Sequence, residues 1–177
     1  DKVYALDEIM KVDVYIPGCP TSPMLIVEAI TGLLEGKPFD LPERSVCDDC
    51  PVKREKKASG GTISRPLKPL DFDQDDWENT RCFMEQGFLC LGPVTRAGCG
   101  KPMDEQEDNI PRCIKGGMTC RGCMGPIRKG ANPMVDMMGA LSSIGLSPQQ
   151  VEDRRATFNR YIGAQNRLRP LPKRPGA

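Results

Sequence analysis

Polar and apolar positions alternate through Lys11-Val12-Asp13-Val14-Tyr15-Ile16, and the β-branched content of this run predicts a strand. Pro17-Gly18-Cys19-Pro20 breaks it. Ser22-Pro23 then offers an N-cap followed by a proline at the first helical position. Ile26, Ile30, Leu33 and Leu34 recur at helical spacing, and Gly36 with Pro38 ends the helix. A strand followed by a helix reads as the closing edge of an open α/β sheet whose other strands lie upstream of residue 1.

From Gly36 to Pro133 the periodicity disappears. A basic run, Lys53-Arg54-Glu55-Lys56-Lys57, and a Ser59-Gly60-Gly61 stretch are followed by acidic residues from Asp71 to Glu78, and both charge runs read as solvated loop. Only short helical turns are expected between Trp77 and Gln86. Regularity returns at Pro133–Ile144, a predicted helix with Met134, Met137, Met138 and Leu141 on adjoining faces. Ser147-Pro148 with Gln150 predicts another helix start, with Val151, Phe158, Tyr161 and Ile162 carrying the stripe to Gly163. The tail Arg167-Leu168-Arg169-Pro170-Leu171-Pro172-Lys173-Arg174 is expected to be extended, lying along a partner. The chain thus divides into residues 1–38 (the end of an α/β unit), 39–132 (a loop-rich, cysteine-bearing region) and 133–177 (helices and tail).

Composition explains why the middle region needs another source of stability. Hydrophobic residues are 38% of the 177 and aromatics only 5%, while Gly 18 and Pro 17 favour turns over long elements. Metal ligation is a way to staple such a chain. The net charge of +1 argues against a nucleic-acid binder, and no apolar run approaches a membrane span. The chain begins Asp1-Lys2 and soon enters an apolar stretch, from which we expect a longer N-terminal region.

Nine cysteines are present. A secreted disulfide framework usually has an even count, and buried structural thiols do not cluster in Cys-x-x-Cys pairs, so metal thiolate sites are the better reading. From residue 47 the pattern is Cys-x2-Cys-x31-Cys-x7-Cys-x8-Cys-x13-Cys-x6-Cys-x2-Cys. The simplest division assigns Cys47, Cys50, Cys82 and Cys90 to one site and Cys99, Cys113, Cys120 and Cys123 to another. Four thiolates satisfy either a structural zinc or a [4Fe–4S] cluster, and spacing alone does not decide between them. Two features favour iron–sulfur. The chain has no histidine, and glycines crowd the thiols, letting backbone N–H groups approach cluster sulfurs.

Pro17-Gly18-Cys19-Pro20 after a strand, the run from Cys82 through Cys90-Leu91-Gly92-Pro93-Val94-Thr95, Pro111-Arg112-Cys113, and Cys120-Arg121-Gly122-Cys123-Met124-Gly125-Pro126 together resemble the small subunit of [NiFe] hydrogenases. Within that family they look most like the cytoplasmic F420-non-reducing (methyl-viologen-reducing) branch of methanogens. The resemblance implies that residues 1–38 end a flavodoxin-like α/β domain. It also implies three [4Fe–4S] clusters: Cys19 as the last ligand of a proximal one, Cys47, Cys50, Cys82 and Cys90 on a distal one, and Cys99, Cys113, Cys120 and Cys123 on a medial one. In many relatives the position of Cys47 is His and that of Cys113 is Pro, so cysteine at both implies all-thiolate centres of lower potential. The gap from Cys82 to Cys90 is longer than in many relatives.

The same resemblance implies an electron-relay subunit without catalytic residues of its own. Its partners would be a large subunit bearing the Ni–Fe site and an electron-accepting iron–sulfur or flavin protein such as a heterodisulfide reductase complex. Competing readings are a zinc-stapled interaction module without a redox role and a stand-alone ferredoxin-like carrier.

Overall fold

The computed structural model describes residues 4, 6–58, 60–63, 70–104 and 108–161. In chain order the helices are α1 (Leu6–Ile9), α2 (Pro23–Glu35), α3 (Val46–Asp49), α4 (Arg112–Lys115), α5 (Pro133–Ser143) and α6 (Arg154–Phe158). Short 3₁₀ turns lie at Gly92–Val94 and Pro148–Gln150. Among the described residues there is no strand, only isolated bridges pairing Ser45 with Arg96, Lys53 with Arg81, and Thr95 with Pro126.

The N-terminal helix forms where the punctuation places it. Pro23 opens α2, and Gly36, at φ 67°, closes it while Lys37 N–H donates to the Gly32 carbonyl at 2.8 Å. Ser22 has extended backbone geometry, but its side chain makes no capping bond. The predicted stripe faces outward: Leu25 and Ala29 are buried, whereas Ile26, Ile30, Leu33 and Leu34 are exposed, Leu34 by 83%. An ion pair between Glu28 and Lys101 joins α2 to the cysteine-bearing region. The expected strand at Lys11–Ile16 is not formed. A strand exists only by pairing, and no described segment offers this run an edge. Instead the Tyr15 hydroxyl donates to Asp7 of α1 at 2.7 Å.

The core lies beneath the thiol-bearing loops. Val46, Met84, Leu91, Val94, Met137, Leu141, Leu146, Val151 and Phe158 form its apolar mass, and Cys90 and Cys120 belong to it. Helix α5 supplies the platform, packing on α6, on the Gly92–Val94 turn beside α3 and on Pro148–Gln150. Asn132 caps it by accepting from Val135 N–H, and Met137 and Leu141 are fully buried, as the spacing predicts. A smaller apolar group, Val52, Phe83 and Ile114, lies between the basic and acidic segments, with Trp77 packed against it.

Two predicted features differ. The acidic segment keeps its carboxylates in solvent, but its backbone is tied down. Gln86 Nε2 donates to the Asp71 carbonyl at 2.7 Å and its Oε1 accepts from Asp71 N–H, while Phe72 packs edge-on against Phe83. The continuous helix expected after Ser147 is broken into a 3₁₀ turn and α6. Gln150 does not complete a capping box, because its Oε1 accepts from Ile63 N–H at 2.6 Å, and Asp153 caps α6 through Ala156 N–H. Ser59, Ile162, Gly163 and the tail Arg167–Arg174 lie outside the described residues.

Leu141→Ala removes a fully buried side chain from the platform and should destabilise the protein by about 2–5 kcal/mol. Val135→Ala, at an exposed position of α5, should cost less than about 0.5 kcal/mol. Thermal denaturation of anaerobically purified protein checks both, and equal effects would contradict the placement of the core.

Candidate metal centre

Helix α3 begins the first thiol group. Ser45 and Asp48 form a capping box, Ser45 N–H donating to the Asp48 carboxylate at 2.7 Å, and these bonds hold the Asp48 carboxyl below the usual range. Cys47 sits within this turn and Cys50 at its C-cap. A non-local bridge brings the third thiol. Lys53 N–H donates to the Thr80 carbonyl and Cys82 N–H to the Lys53 carbonyl, each at 2.8 Å, so Cys82 arrives beside the Cys47–Cys50 turn. The chain then turns through residues 83–87 and delivers Cys90 to the core.

Cys47, Cys50, Cys82 and Cys90 line one pocket, together with Val46, Val52, Arg54, Phe83, Gly92 and Ile114. The structure thus brings these four thiols to one pocket. Among the described residues, no three His, Cys, Asp or Glu side chains are grouped as they would be around a single metal ion. Gly92 forms part of the pocket wall: a Cβ there would lie 3.0 Å from Cys47 Sγ and 3.5 Å from Cys90 Sγ, tighter than ordinary packing allows on the first contact.

The second group has a shared electrostatic neighbourhood. Cys99 feels Cys123 and Cys113, Cys113 feels Cys123, and Cys120 feels Cys113 and Cys99. Gly100 permits the Cys99 turn to press on the segment that precedes Cys113, since a Cβ there would overlap the Ile110 carbonyl. Arg96 braces the same region, donating to the carbonyls of Pro126, Leu41 and Pro42. The groups meet at one junction. Cys120 N–H donates to Cys90 Sγ at 3.3 Å, and Leu91 N–H donates to the Cys120 carbonyl at 3.0 Å.

Nearby backbone amides lower the cost of negative charge on several sulfurs: Val52 at Cys50, Met84 and Glu85 at Cys82, Gly92 at Cys90, Arg112 at Cys99, Arg121 at Cys113 and Gly122 at Cys120. Such donors stabilise negative charge on sulfur. Against them stands burial, which pushes Cys47 and Cys120 up to about 12 and raises Cys50, Cys82, Cys90, Cys99 and Cys113. As free thiols they stay protonated, and a metal cation is what would favour the thiolates. Four soft donors around one pocket, an amide bonded to the Cys90 sulfur and a glycine in the pocket wall fit an iron–sulfur cluster at Cys47, Cys50, Cys82 and Cys90. Cys19, before α2, is exposed and is not among the thiols lining the cavity.

Spacing gives no hint of Glu85. It is buried, at 2% exposure, yet accepts from Glu55 N–H at 2.9 Å and Lys56 N–H at 2.6 Å, with Arg81 Nε 3.6 Å away. Its own N–H serves Cys82. One residue thus holds the basic loop against the first thiol group, and there the Arg54 guanidinium donates to the Cys47 carbonyl. A single acidic residue between two cysteines carries no sequence signal for such a distant bond.

The fold and thiol arrangement define a cysteine-rich, loop-built protein. No protein-family model matches the chain. By sequence it is 35% identical, over 90% of its length, to the vhu G subunit of an F420-non-reducing hydrogenase of Methanocaldococcus jannaschii, 49% of which it covers. It is 30% identical, over 86% of its length, to the iron–sulfur G subunit of the F420-non-reducing hydrogenase of Archaeoglobus profundus, covering 45% of that protein. The small subunit of a periplasmic [NiFe] hydrogenase of Solidesulfovibrio fructosivorans is 32% identical over 63% of the chain, with 34% of that subunit covered. The chain is a homologue of hydrogenase iron–sulfur subunits, most of its length matching the G subunits of F420-non-reducing hydrogenases, and it spans about half the length of these relatives. No described helix is long and apolar enough to cross a membrane.

Glu85→Ala should free the 55–57 loop and cost about 1–3 kcal/mol, because two amides lose a buried acceptor. Glu85→Gln, which keeps an acceptor oxygen, should cost less. Thermal unfolding midpoints of the iron-loaded protein measure the difference, and a neutral Glu85→Ala would refute the anchoring role.

Proposed function

We propose that this chain is an electron-relay subunit of a [NiFe] hydrogenase, passing electrons from H2 oxidation through [4Fe–4S] centres to a low-potential acceptor. The observation that carries the reading is that Cys47, Cys50, Cys82 and Cys90 line one pocket and that the Cys120 amide bonds to the Cys90 sulfur. Its relatives named as hydrogenase iron–sulfur and small subunits support it. A cluster held by each group would supply one-electron chemistry. The chain's residues supply the rest: thiols to ligate, amides to stabilise charge, and a short route from one group to the other. Relay is favoured by that closeness, since tunnelling falls steeply with distance.

In this reading Cys47, Cys50, Cys82 and Cys90 hold a distal centre, Cys99, Cys113, Cys120 and Cys123 a medial one, and Cys19 contributes to a proximal one. Catalysis belongs to a large partner subunit with the Ni–Fe site. The acceptor is an iron–sulfur or flavin protein such as a heterodisulfide reductase complex, and the complex works in the cytoplasm. The exposed apolar face of α2, Ile26, Ile30, Leu33 and Leu34, supports an α/β unit of flavodoxin type in which this helix packs on a sheet.

Anaerobic purification followed by metal analysis tests the proposal. About eight iron and eight acid-labile sulfide per chain are expected for the two complete groups, on four of each per cluster. Zinc without sulfide would establish the stapled module instead. Cys113→Pro should convert one centre alone to a three-iron cluster of higher potential. An unchanged EPR spectrum would show that Cys113 is not a ligand.

A further inference from the structure

The basic run from Lys53 to Lys57 reads as solvated loop in sequence, yet its backbone is held along its length. Lys53 N–H donates to the Thr80 carbonyl and its own carbonyl accepts from Cys82 N–H, both at 2.8 Å. The amides of Glu55 and Lys56 end on the buried Glu85 carboxylate, at 2.9 and 2.6 Å. The Arg81 guanidinium donates to the Lys57 carbonyl, and Ala58 N–H donates to the Ile144 carbonyl at 2.8 Å. Lys56 lies at φ 57°, in the left-handed region that residues with a side chain rarely enter. No other non-glycine residue does so among the described residues.

A loop that served only as a solvated connection would need none of this. Water satisfies exposed amides, and glycine at position 56 would adopt the same backbone without strain. What the anchoring fixes is charge. Lys53, Arg54, Lys56 and Lys57 are exposed. Glu55, the one carboxylate in the run, is occupied by Lys53 at 3.9 Å and Arg81 at 3.5 Å. Among the described residues no carboxylate pairs with Lys56 or Lys57. In the neighbouring turn, Asp48 is engaged by Ser45 and Asp49 by Arg44. Four cations against one carboxylate make this segment strongly positive in a chain whose overall charge is only +1. The segment also borders the first thiol pocket. Arg54 lines that pocket, and its guanidinium donates to the Cys47 carbonyl.

On the reading that Cys47, Cys50, Cys82 and Cys90 hold an iron–sulfur centre, we propose that the Lys53–Lys57 segment is the docking surface for an electron-accepting protein whose own face is acidic. Transfer between proteins needs the two centres brought close. Cations beside one centre draw an acidic face to that spot and speed the encounter. A segment already held in place loses little further freedom when the partner seats on it. In the transfer the centre loses one electron and the acceptor gains it, no bond forms or breaks, and no proton moves. Nucleic acid is the poorer occupant, because the chain as a whole carries no basic excess.

The test measures the affinity of the anaerobically purified, iron-loaded complex for an acidic plant-type [2Fe–2S] ferredoxin. Calorimetry at about 0.01 M and about 1 M salt compares conditions in which charges act over about 30 Å and about 3 Å. Binding by the parent should be present at low salt and largely lost at high salt. Lys56→Glu with Lys57→Glu should weaken low-salt binding by about tenfold or more and leave little dependence on salt. Arg128→Glu with Lys129→Glu makes the same change in net charge at another exposed segment and should weaken binding far less. If the first double variant fails to load iron, Lys56→Gln with Lys57→Gln must show weakening in the same direction. Unchanged affinity in a variant with full iron and sulfide would overturn the docking surface. So would an equal loss in the Arg128 and Lys129 variant, or tighter binding of the parent to duplex DNA than to the ferredoxin at the same salt. A parent protein without iron and sulfide would overturn the underlying functional reading instead, so the two failures are distinguishable.

Discussion

The reciprocal contact between Cys90-Leu91 and Cys120 organises the molecule. One amide of Cys120 bonds to the sulfur of Cys90, and one amide of Leu91 bonds to the carbonyl of Cys120, across a separation of 30 residues between the two cysteines. Both cysteines belong to the same apolar core as Met137, Leu141 and Phe158. Cys90 of the first thiol group and Cys120 of the second thus share one buried seam, and among the described residues no sheet separates them. Isolated bridges take the place of a ladder: the pairing of Lys53 with Arg81 brings Cys82 in, and that of Thr95 with Pro126 fixes the turn after Cys90. The distance between the two groups is consequently set by a few hydrogen bonds and by the packing beneath them.

That construction leaves the core incomplete as protein alone. Thiols near the seam are raised by burial, and the amides aimed at them offset only part of the cost of a thiolate. The lean apolar composition agrees with this. A chain with few aromatic residues and many glycines and prolines gains little from burial, so ligation by its thiols would add stability that the core does not supply. Glu85 illustrates the same economy. A charged group is buried to hold a loop in place, and amides that a sheet would have satisfied are satisfied by its carboxylate.

The sequence was readable where its signals are local. Pro23 and Gly36 delimit α2, Asn132-Pro133 opens α5, and the methionine spacing puts Met137 in the core. Cysteine spacing separated the thiols that line the cavity from the later ones, because Cys-x-x-Cys turns are local and the chain order keeps each set together. Features that depend on distant partners were hidden. The strand at Lys11–Ile16 needed a neighbour, the helix after Ser147 lost Gln150 to Ile63, and the acidic segment was pinned by Gln86. In the first and second cases the local pattern was a fair match to its element, and a non-local requirement decided the outcome. The outward face of α2 belongs with them, since periodicity shows that a helix has an apolar side but not what covers it.

Charge balance at the thiols follows from sequence neighbours of a particular kind. Arg54 opposes the rise at Cys47, Cys50 and Cys82, Arg112 at Cys99, and Arg121 at Cys113. Each guanidinium lies close in sequence to a ligand candidate, so the same turn that positions a sulfur also positions a cation. Guanidinium stays protonated throughout the range in which proteins work. The field that these residues place on the sulfurs therefore does not change with pH, unlike that of an imidazole in the same place. Amide dipoles are equally indifferent to pH. In the proposed relay, electrons would move without obliging a side chain to take up or release a proton, and the potential of each group would be left to burial, to nearby amides and to fixed positive charge.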